Sequence, residues 1–134
     1  LNPDAAMLWN NLGYSMYLSD NMLSAEENIR KALTLDPGYG PAKRNLALIH
    51  ARQGLYSEAL KVMLTAENES TAFTDVGVLA FKLGDYDQAE ILLAEAVRRS
   101  PTYNPEASRN LAAAREALRK SASKGCHGWF IIGL

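Results

Sequence analysis

The chain has 134 residues, of which 48% are hydrophobic and 22% charged, and its formal net charge is −1. This length suits one domain or one array of repeats, and the near-neutral charge provides no basic field that would attract nucleic acid or an anionic membrane. The single cysteine, Cys126, excludes an intrachain disulfide. No apolar run approaches the roughly 20 residues that span a bilayer.

Apolar periodicity and turn residues predict seven helices along the chain. In chain order they cover about residues 5–18, 23–35, 41–52, 56–67, 70–83, 86–100 and 105–120. Together they form an array over residues 1–120. We expect repeats at about 6–39, 40–69 and 70–103, then a capping helix at 104–120 with a polar outer face, and a separate segment at 121–134.

Small residues recur at fixed offsets, which indicates that the helices are organised as repeats. Ala59 follows Ala25 by 34 residues, and Ala89 follows Ala59 by 30. A period near ~34 residues is typical of helix–turn–helix solenoids, in which each unit packs mainly on its neighbours and the array offers a surface to another chain. The sequence therefore favours a binding scaffold over an enzyme.

The shorter second interval predicts a local deletion. The motif Gly-x-Tyr-x-x-Ala occurs at Gly54 and again at Gly84, where a glycine permits the left-handed conformation at a helix end. Four residues are missing between these two copies relative to the 34-residue period. We expect the deletion near residues 67–69, where it would shorten the fourth helix by about one turn.

The repeat residues resemble the tetratricopeptide repeat (TPR) family. The first repeat matches its signature at Trp9, Leu12, Gly13, Ala25, Ala32 and Pro37. The resemblance implies an all-α TPR solenoid of three helix–turn–helix repeats plus a C-terminal capping helix, with Trp9 and Leu12 buried. It also implies a non-catalytic module that binds a peptide or helix of a partner protein in a concave groove.

Three phrases resemble a narrower group, the TadD-like lipoproteins of tight-adherence (Flp) pilus systems. They are the segment from Asn45 to Gly54, Asp75-Val76-Gly77 and Gly84-Asp85-Tyr86. This resemblance implies a pilotin-like assembly factor, with a secretin or pilus component as partner, on the periplasmic side of the outer membrane. Its lipid-bearing cysteine would lie upstream of Leu1, since we interpret the chain as a fragment or processed form. The alternative is a general cytoplasmic TPR scaffold or adaptor in a multiprotein complex.

In such an array the first helix of each pair lines the groove. The predicted groove residues are Met7, Asn10, Asn11, Tyr14, Tyr17, Arg44, Asn45, Leu48, Arg52, Asp75, Val78 and Arg109. Four of these residues recur at repeat spacing and are expected to form a ladder along the groove: Asn11, Asn45, Asp75 and Arg109. The amides could bind a peptide backbone and the arginines a carboxylate. Alternatively, these are ordinary solvated positions, or they pair among themselves, as Asp75 with Arg44 or Arg109. On the groove interpretation, Asn45→Ala leaves stability nearly unchanged.

TPR domains that bind the acidic C-terminal tails of chaperones place lysine, asparagine and arginine at five groove positions. The matching positions here hold Asn10, Tyr14, Asn45, Thr71 and Asp75, and of these only Asn45 agrees. The resemblance therefore argues against that kind of site. An apolar patch instead suits an amphipathic helix or apolar segment. It consists of Met7, Tyr14, Tyr17, Leu48 and Val78.

Residues that could support chemistry are few. We interpret His50 as a packed or partly solvated helical histidine, and the adjacent pair Cys126-His127 provides neither a catalytic constellation nor enough ligands for zinc. No phosphate-binding glycine loop follows a strand-like run. We therefore expect no catalytic residue, metal, cofactor, nucleic acid or small-molecule substrate.

The last residues are unlike the rest of the chain. Residues 121–125 resemble a linker, and residues 126–134 are almost wholly apolar. Three interpretations stand: a tail from cloning or read-through, a native segment that docks on its own or a neighbouring groove, or an anchor to a membrane or partner.

Overall fold

The computed structural model describes the backbone of residues 2–132 and the side chains of residue 2 and residues 4–124. It contains α1 (Pro3–Leu18), α2 (Met22–Leu35), α3 (Gly40–Arg52), α4 (Tyr56–Leu64), α5 (Glu69–Lys82), α6 (Tyr86–Arg99) and α7 (Pro105–Ile132). Residues 2–132 include no β-strand, so the prediction of seven helices in an all-α chain is confirmed. The chain divides into two compact units, Leu1–Asn68 and Glu69–Leu134.

The first unit consists of two helical hairpins. The pairs α1–α2 and α3–α4 pack internally, and α3 also packs on α2 and α1. Small and branched side chains of α1, α2 and α3 form one core. These are Ala6, Ala25, Ile29, Ala32, Ala42, Leu46 and Ile49, and all are at least 96% buried. Because alanine leaves room for the neighbouring backbone, the helices of each pair can approach closely.

Helix α4 is short, as the repeat interval predicts. It has 9 residues, whereas α2 and α6 each have 14. It ends at Leu64, and the amides of Ala66 and Glu67 both donate to the Met63 carbonyl at 2.9 Å. The chain therefore turns at the expected deletion instead of completing another helical turn.

The second unit packs α5, α6 and α7 together, with α6 in contact with both other helices. Its core includes Val76, Leu93, Ala96, Ala107 and Ala114, all fully buried. A polar network fixes the start of α7. Asn104 Nδ2 donates to Ser70 Oγ at 3.0 Å, and Ser70 Oγ donates to the Ala96 carbonyl at 3.0 Å. Asn104 Oδ1 accepts from the Ala107 amide, so one side chain caps α7 and joins it to α5.

The three hairpin turns have the same backbone bonding. The amides of Asn21, Leu55 and Asp85 each donate across the helix end to a carbonyl five residues earlier, at 2.8–2.9 Å. The residue before each donor has a positive φ: 63° for Asp20, 78° for Gly54 and 82° for Gly84. Asp20 therefore takes the place that glycine holds in the other two repeats.

Helix α7 continues past the expected end at residue 120 and reaches Ile132. The segment that resembles a linker, 121–125, is helical, since serine, alanine and lysine are all compatible with a helix and no proline interrupts it. The docking proposed for 126–134 concerns side chains outside the described residues, and so does the pair Cys126-His127. Among the described helices, none has the length and apolarity needed to cross a membrane.

Candidate functional site

In the first unit, α1 and α3 lie side by side and present most of the residues predicted for the groove. We call this surface the α1–α3 face. It consists of Met7, Asn11, Tyr14, Tyr17, Arg44, Asn45, Leu48 and Arg52. Its residues come from two consecutive repeats, so the repeat packing itself positions them.

A hydrogen bond beneath the face joins the two helices. Asn45 Nδ2 donates to Asn10 Oδ1 at 2.8 Å. Asn10 is only 5% exposed, so it lies under the surface and not on it, in contrast to its expected position in the groove. The alternative that the polar residues pair among themselves therefore holds for these two. The bond uses one N–H of Asn45, and among the described residues its second N–H and its carbonyl oxygen have no other hydrogen bond.

Aromatic and charged side chains form one edge of the face. The rings of Tyr14 and Tyr17 stack with centroids 6.0 Å apart and an angle of 13° between their planes. The Arg52 guanidinium lies 5.2 Å from the Tyr17 ring centroid, and Arg52 Nη2 donates to Asp20 Oδ1 at 2.8 Å. Hydrogen bonding to Tyr17, together with the Asp20 carboxylate, raises the pKa of Arg52 above its ordinary value. These contacts hold Arg52 and the tyrosine pair in one arrangement.

The rest of the face is accessible. Met7 and Tyr14 are 40% and 41% exposed, Asn11 and Arg44 are exposed, and Leu48 is half-buried. Such a surface offers apolar contact area next to amides and a guanidinium. That combination suits a segment of polypeptide, which has both a polar backbone and apolar side chains.

The second unit holds the remaining predicted site residues. Asp75 and Val78 are half-buried on α5, and Arg109 is exposed on α7. Asp75 already interacts within the chain. Helices α5 and α7 are in contact, so Val78 and Arg109 belong to one packed unit.

Two features of the first unit differ from the sequence interpretation. Leu12, which the family signature predicts as buried, is 41% exposed because no described helix covers its side of α1. The sequence pattern indicates only a turn at Asp20, whereas its carboxylate fixes Arg52 at the edge of the face. Its alignment with Gly54 and Gly84 is the signal that could have identified it.

The described residues provide little support for metal binding or for a chemical role of a histidine. No group of three or more His, Cys, Asp or Glu side chains among them could hold a metal ion. His50 is 7% exposed and packs inside α3, as predicted. Its Nδ1 atom has no hydrogen-bond partner in the described part of the chain.

The family model described as "Tetratricopeptide repeat" matches residues 20–73 and 74–123, which is well over half of the chain. The chain therefore belongs to the tetratricopeptide repeat family, and the fold is a TPR solenoid.

Some known proteins are similar to this chain in sequence, and others are similar in structure. The peroxisomal targeting signal receptor of Kluyveromyces lactis is 36% identical over 66 residues, which are 49% of this chain and 12% of that protein. The chain thus spans only a small part of this relative. The first TPR domain of human RPAP3 superposes with a TM-score of 0.58 at 18% identity, over 91% of this chain and 98% of that one. PcrH in complex with the chaperone binding region of PopD gives a TM-score of 0.57 at 22% identity, over 90% and 96%.

Proposed function

We propose that this chain is a non-catalytic interaction module that binds a segment of another protein on the α1–α3 face. The observation that supports this most is the combination of the exposed Tyr14 ring, half-buried Leu48 and the oriented amide of Asn45 on two adjacent helices. Membership of a family of interaction modules fits this role, and so does the fold shared with PcrH, which is bound to a region of PopD.

The chemistry of the face favours an amphipathic helix or an apolar segment as the bound element. Tyr14, Tyr17 and Met7 provide an apolar surface, and the second N–H and carbonyl of Asn45 can meet backbone polar groups. A purely acidic tail fits less well, because Arg52 is already paired with Asp20 at 2.8 Å and the face then offers a single further guanidinium, that of Arg44. Rigid aromatic rings lose little conformational entropy on binding, so the stacked pair is the expected anchor.

The finer proposal concerns the partner. The phrases around Asn45, Asp75 and Gly84 resemble TadD-like pilus lipoproteins, which supports a pilotin-like factor for a secretin at the periplasmic side of the outer membrane. The rival proposal is a general adaptor in a cytoplasmic complex. It requires only the binding face and the repeat fold.

A capture experiment tests both the binding face and the identity of the partner. The full chain, residues 1–134, is immobilised and exposed separately to envelope and cytosolic extracts. The double variant Asn11→Ala/Tyr14→Ala alters the face, and Tyr103→Ala serves as a matched control because Tyr103 is 80% exposed and lies in the other unit. One specific protein that is lost with the double variant and kept with Tyr103→Ala supports the face. If that protein is a secretin or pilus component, the finer proposal is supported. If it is cytosolic, the adaptor role is favoured.

One outcome would contradict the assignment of the binding site to the α1–α3 face. If the double variant folds normally and still captures the same protein as the unaltered chain, the α1–α3 face is not the binding site. Circular dichroism and thermal melting of each variant establish that the comparison concerns binding and not folding.

A further inference from the structure

The two helices of the α1–α3 face run in the same direction, and two contacts fix their register. Asn45 Nδ2 donates to Asn10 Oδ1, and the Arg52 guanidinium lies over the Tyr17 ring. The residues of both pairs are 35 positions apart in sequence. A constant offset means that each level of α1 can be matched to a level of α3, so the two ends of the face can be compared.

One end of the face is aromatic and electrically neutral. We call it the tyrosine end, and it consists of Tyr14, Tyr17, Leu48 and Arg52. The two rings stack with their centroids 6.0 Å apart, and the Asp20 carboxylate compensates the charge of Arg52 at 2.8 Å. This end therefore favours an apolar side chain of a partner.

The other end of the face carries an uncompensated positive charge. We call it the arginine end, and it consists of Met7 and Arg44. The register places Met7 opposite position 42. The Arg44 side chain folds back along α3, where its Nη1 atom lies 3.5 Å from the place that a Cβ atom at Gly40 would occupy. The guanidinium is thus level with Met7, which is two helical turns, about 10 Å, along α1 from Tyr14.

Arg44 differs from the other cations of the first unit. Among the described residues of that unit, it is the one lysine or arginine whose side chain has neither an ion pair nor a hydrogen bond. The others pair with carboxylates or donate to a backbone carbonyl; they are Arg30, Lys31, Lys43, Arg52 and Lys61. Arg44 is also exposed, so its guanidinium is accessible to a carboxylate from outside the chain.

From this layout we propose that Arg44 determines specificity on the α1–α3 face by selecting a helical segment with one carboxylate about two turns from its apolar anchor. The inference rests on the function proposed above and names the chemistry of the bound segment. The anchor packs on the tyrosine end, and the carboxylate binds the guanidinium of Arg44 through its two parallel N–H groups. Two residues about two turns apart lie on the same side of a helix, so one segment reaches both ends.

The selection has a simple physical basis. A basic residue at the position of the carboxylate would meet a like charge, and an apolar one would leave the guanidinium without a partner. A segment with many carboxylates gains little more, because the remaining guanidinium of the face, that of Arg52, is already paired with Asp20. The expected segment is therefore amphipathic and singly acidic along this side.

A displayed peptide library provides the probe. Each member is an alanine-rich helix with a fixed leucine as anchor, and the positions one and two turns from the leucine, on either side, are randomised. The full chain, residues 1–134, is immobilised, and the enriched peptides are sequenced. Affinities of selected peptides are then measured by fluorescence anisotropy.

Charge reversal makes the test specific. Arg44→Glu alters the arginine end, and Lys61→Glu is the matched control. It changes the net charge equally, and the Lys61 side chain is 71% exposed on α4, outside the face. Circular dichroism establishes that both variants fold.

The unaltered chain and Lys61→Glu should enrich aspartate or glutamate two turns from the leucine, whereas Arg44→Glu should enrich lysine or arginine there. An acidic peptide and its lysine counterpart should exchange rank between the unaltered chain and Arg44→Glu, each losing at least about fivefold in affinity on the mismatched protein.

The possible failures are distinguishable. If the enriched peptides require Asn11 and Tyr14 but show no acidic preference, or show the same preference with Arg44→Glu, this inference is wrong and the binding face stands. If Lys61→Glu changes the preference as much as Arg44→Glu does, net charge is responsible and the inference is again wrong. If the peptides bind Asn11→Ala/Tyr14→Ala as well as the unaltered chain, the function proposed above fails together with it.

Discussion

The side-chain amide of Asn45 donates to Asn10 Oδ1 at 2.8 Å and joins α3 to α1 across 35 residues of sequence. Because Asn10 is 5% exposed, this bond lies below the α1–α3 face and supports it. A buried polar atom that has its partner costs little, whereas one that loses its partner destabilises the fold. Asn45 therefore contributes both to the fold and to the surface proposed for binding.

The first prediction separates these two contributions. Asn45→Ala should lower the free energy of unfolding by about 1–2 kcal/mol, because the buried Asn10 Oδ1 loses its donor. This differs from the sequence interpretation, which expects little change. Asn11→Ala should change stability by less than about 0.5 kcal/mol, since Asn11 is exposed, and should weaken binding of the partner. Urea unfolding measures the stability of both variants. Equal stability of the two variants would contradict the role given to the bond.

The second prediction concerns the turn residue Asp20, which has φ 63° where the other repeats have glycine. Asp20→Ala should lower stability by about 1 kcal/mol, since alanine is disfavoured in the left-handed region. Asp20→Gly should stay within about 0.5 kcal/mol of the unaltered chain. Glycine relieves the backbone strain but loses an exposed ion pair with Arg52 that is worth little. If alanine and glycine give the same stability by urea unfolding, the equivalence of this turn with Gly54 and Gly84 is refuted.

The third prediction tests the close approach of α5 and α6. A Cβ atom at Gly77 would lie 2.7 Å from Leu93 Cγ and 3.0 Å from Leu93 Cδ2. Leu93 is fully buried and has little room to move, so Gly77→Ala should cost about 1–2 kcal/mol despite the better helix propensity of alanine.

A matched control for this substitution is Gly40→Ala at the start of α3. There the nearest atom, Arg44 Nη1, is 3.5 Å from the added Cβ, which is ordinary contact. Thermal melting should show no loss of stability for Gly40→Ala. A Gly77→Ala variant as stable as the unaltered chain would show that the α5–α6 contact is looser than described.

The fourth prediction is a pH dependence. Hydrogen bonds from Arg98 and Arg99 lower the pKa of Glu95 to about 2. Because the folded pKa lies below the ordinary value, the ionised carboxylate stabilises the fold above about pH 4.5. This contribution is lost as the pH falls through about 2. Melting temperatures of the unaltered chain and of Glu95→Gln should thus differ at pH 7 and converge only below about pH 2. A difference that stays constant with pH would contradict this role of Glu95.

The repeat period was sufficient to predict the helices. The positions of Ala25, Ala59 and Ala89 correctly predicted the three hairpins, and the shorter second interval predicted the short α4. These features follow from local patterns, because small residues and turn residues act on the nearest helices. The end of α7 was less predictable, since residues 121–125 contain no strong helix breaker other than Gly125.

The site was harder to predict, since it depends on side-chain contacts between repeats. Helical phase alone could not show that Asn10 faces Asn45 beneath the surface, nor that Arg52 pairs with Asp20 in the preceding turn. Leu12 matches the family signature, yet its burial depends on a covering helix that no described part of the chain provides. Sequence patterns report the face of a helix, whereas burial also depends on what lies opposite.

The central claim, that the α1–α3 face binds a segment of a partner protein, is tested most directly by site-specific photocross-linking in the native cell. The photoreactive residue p-benzoylphenylalanine replaces Tyr14 or Leu48 on the face, or Tyr103 as a control that is 80% exposed in the other unit. Mass spectrometry then identifies the linked peptide. We predict that positions 14 and 48 link to one contiguous segment of one protein, and that position 103 does not. Linkage to that segment from position 103 alone, or no specific linkage from positions 14 and 48, would contradict the claim.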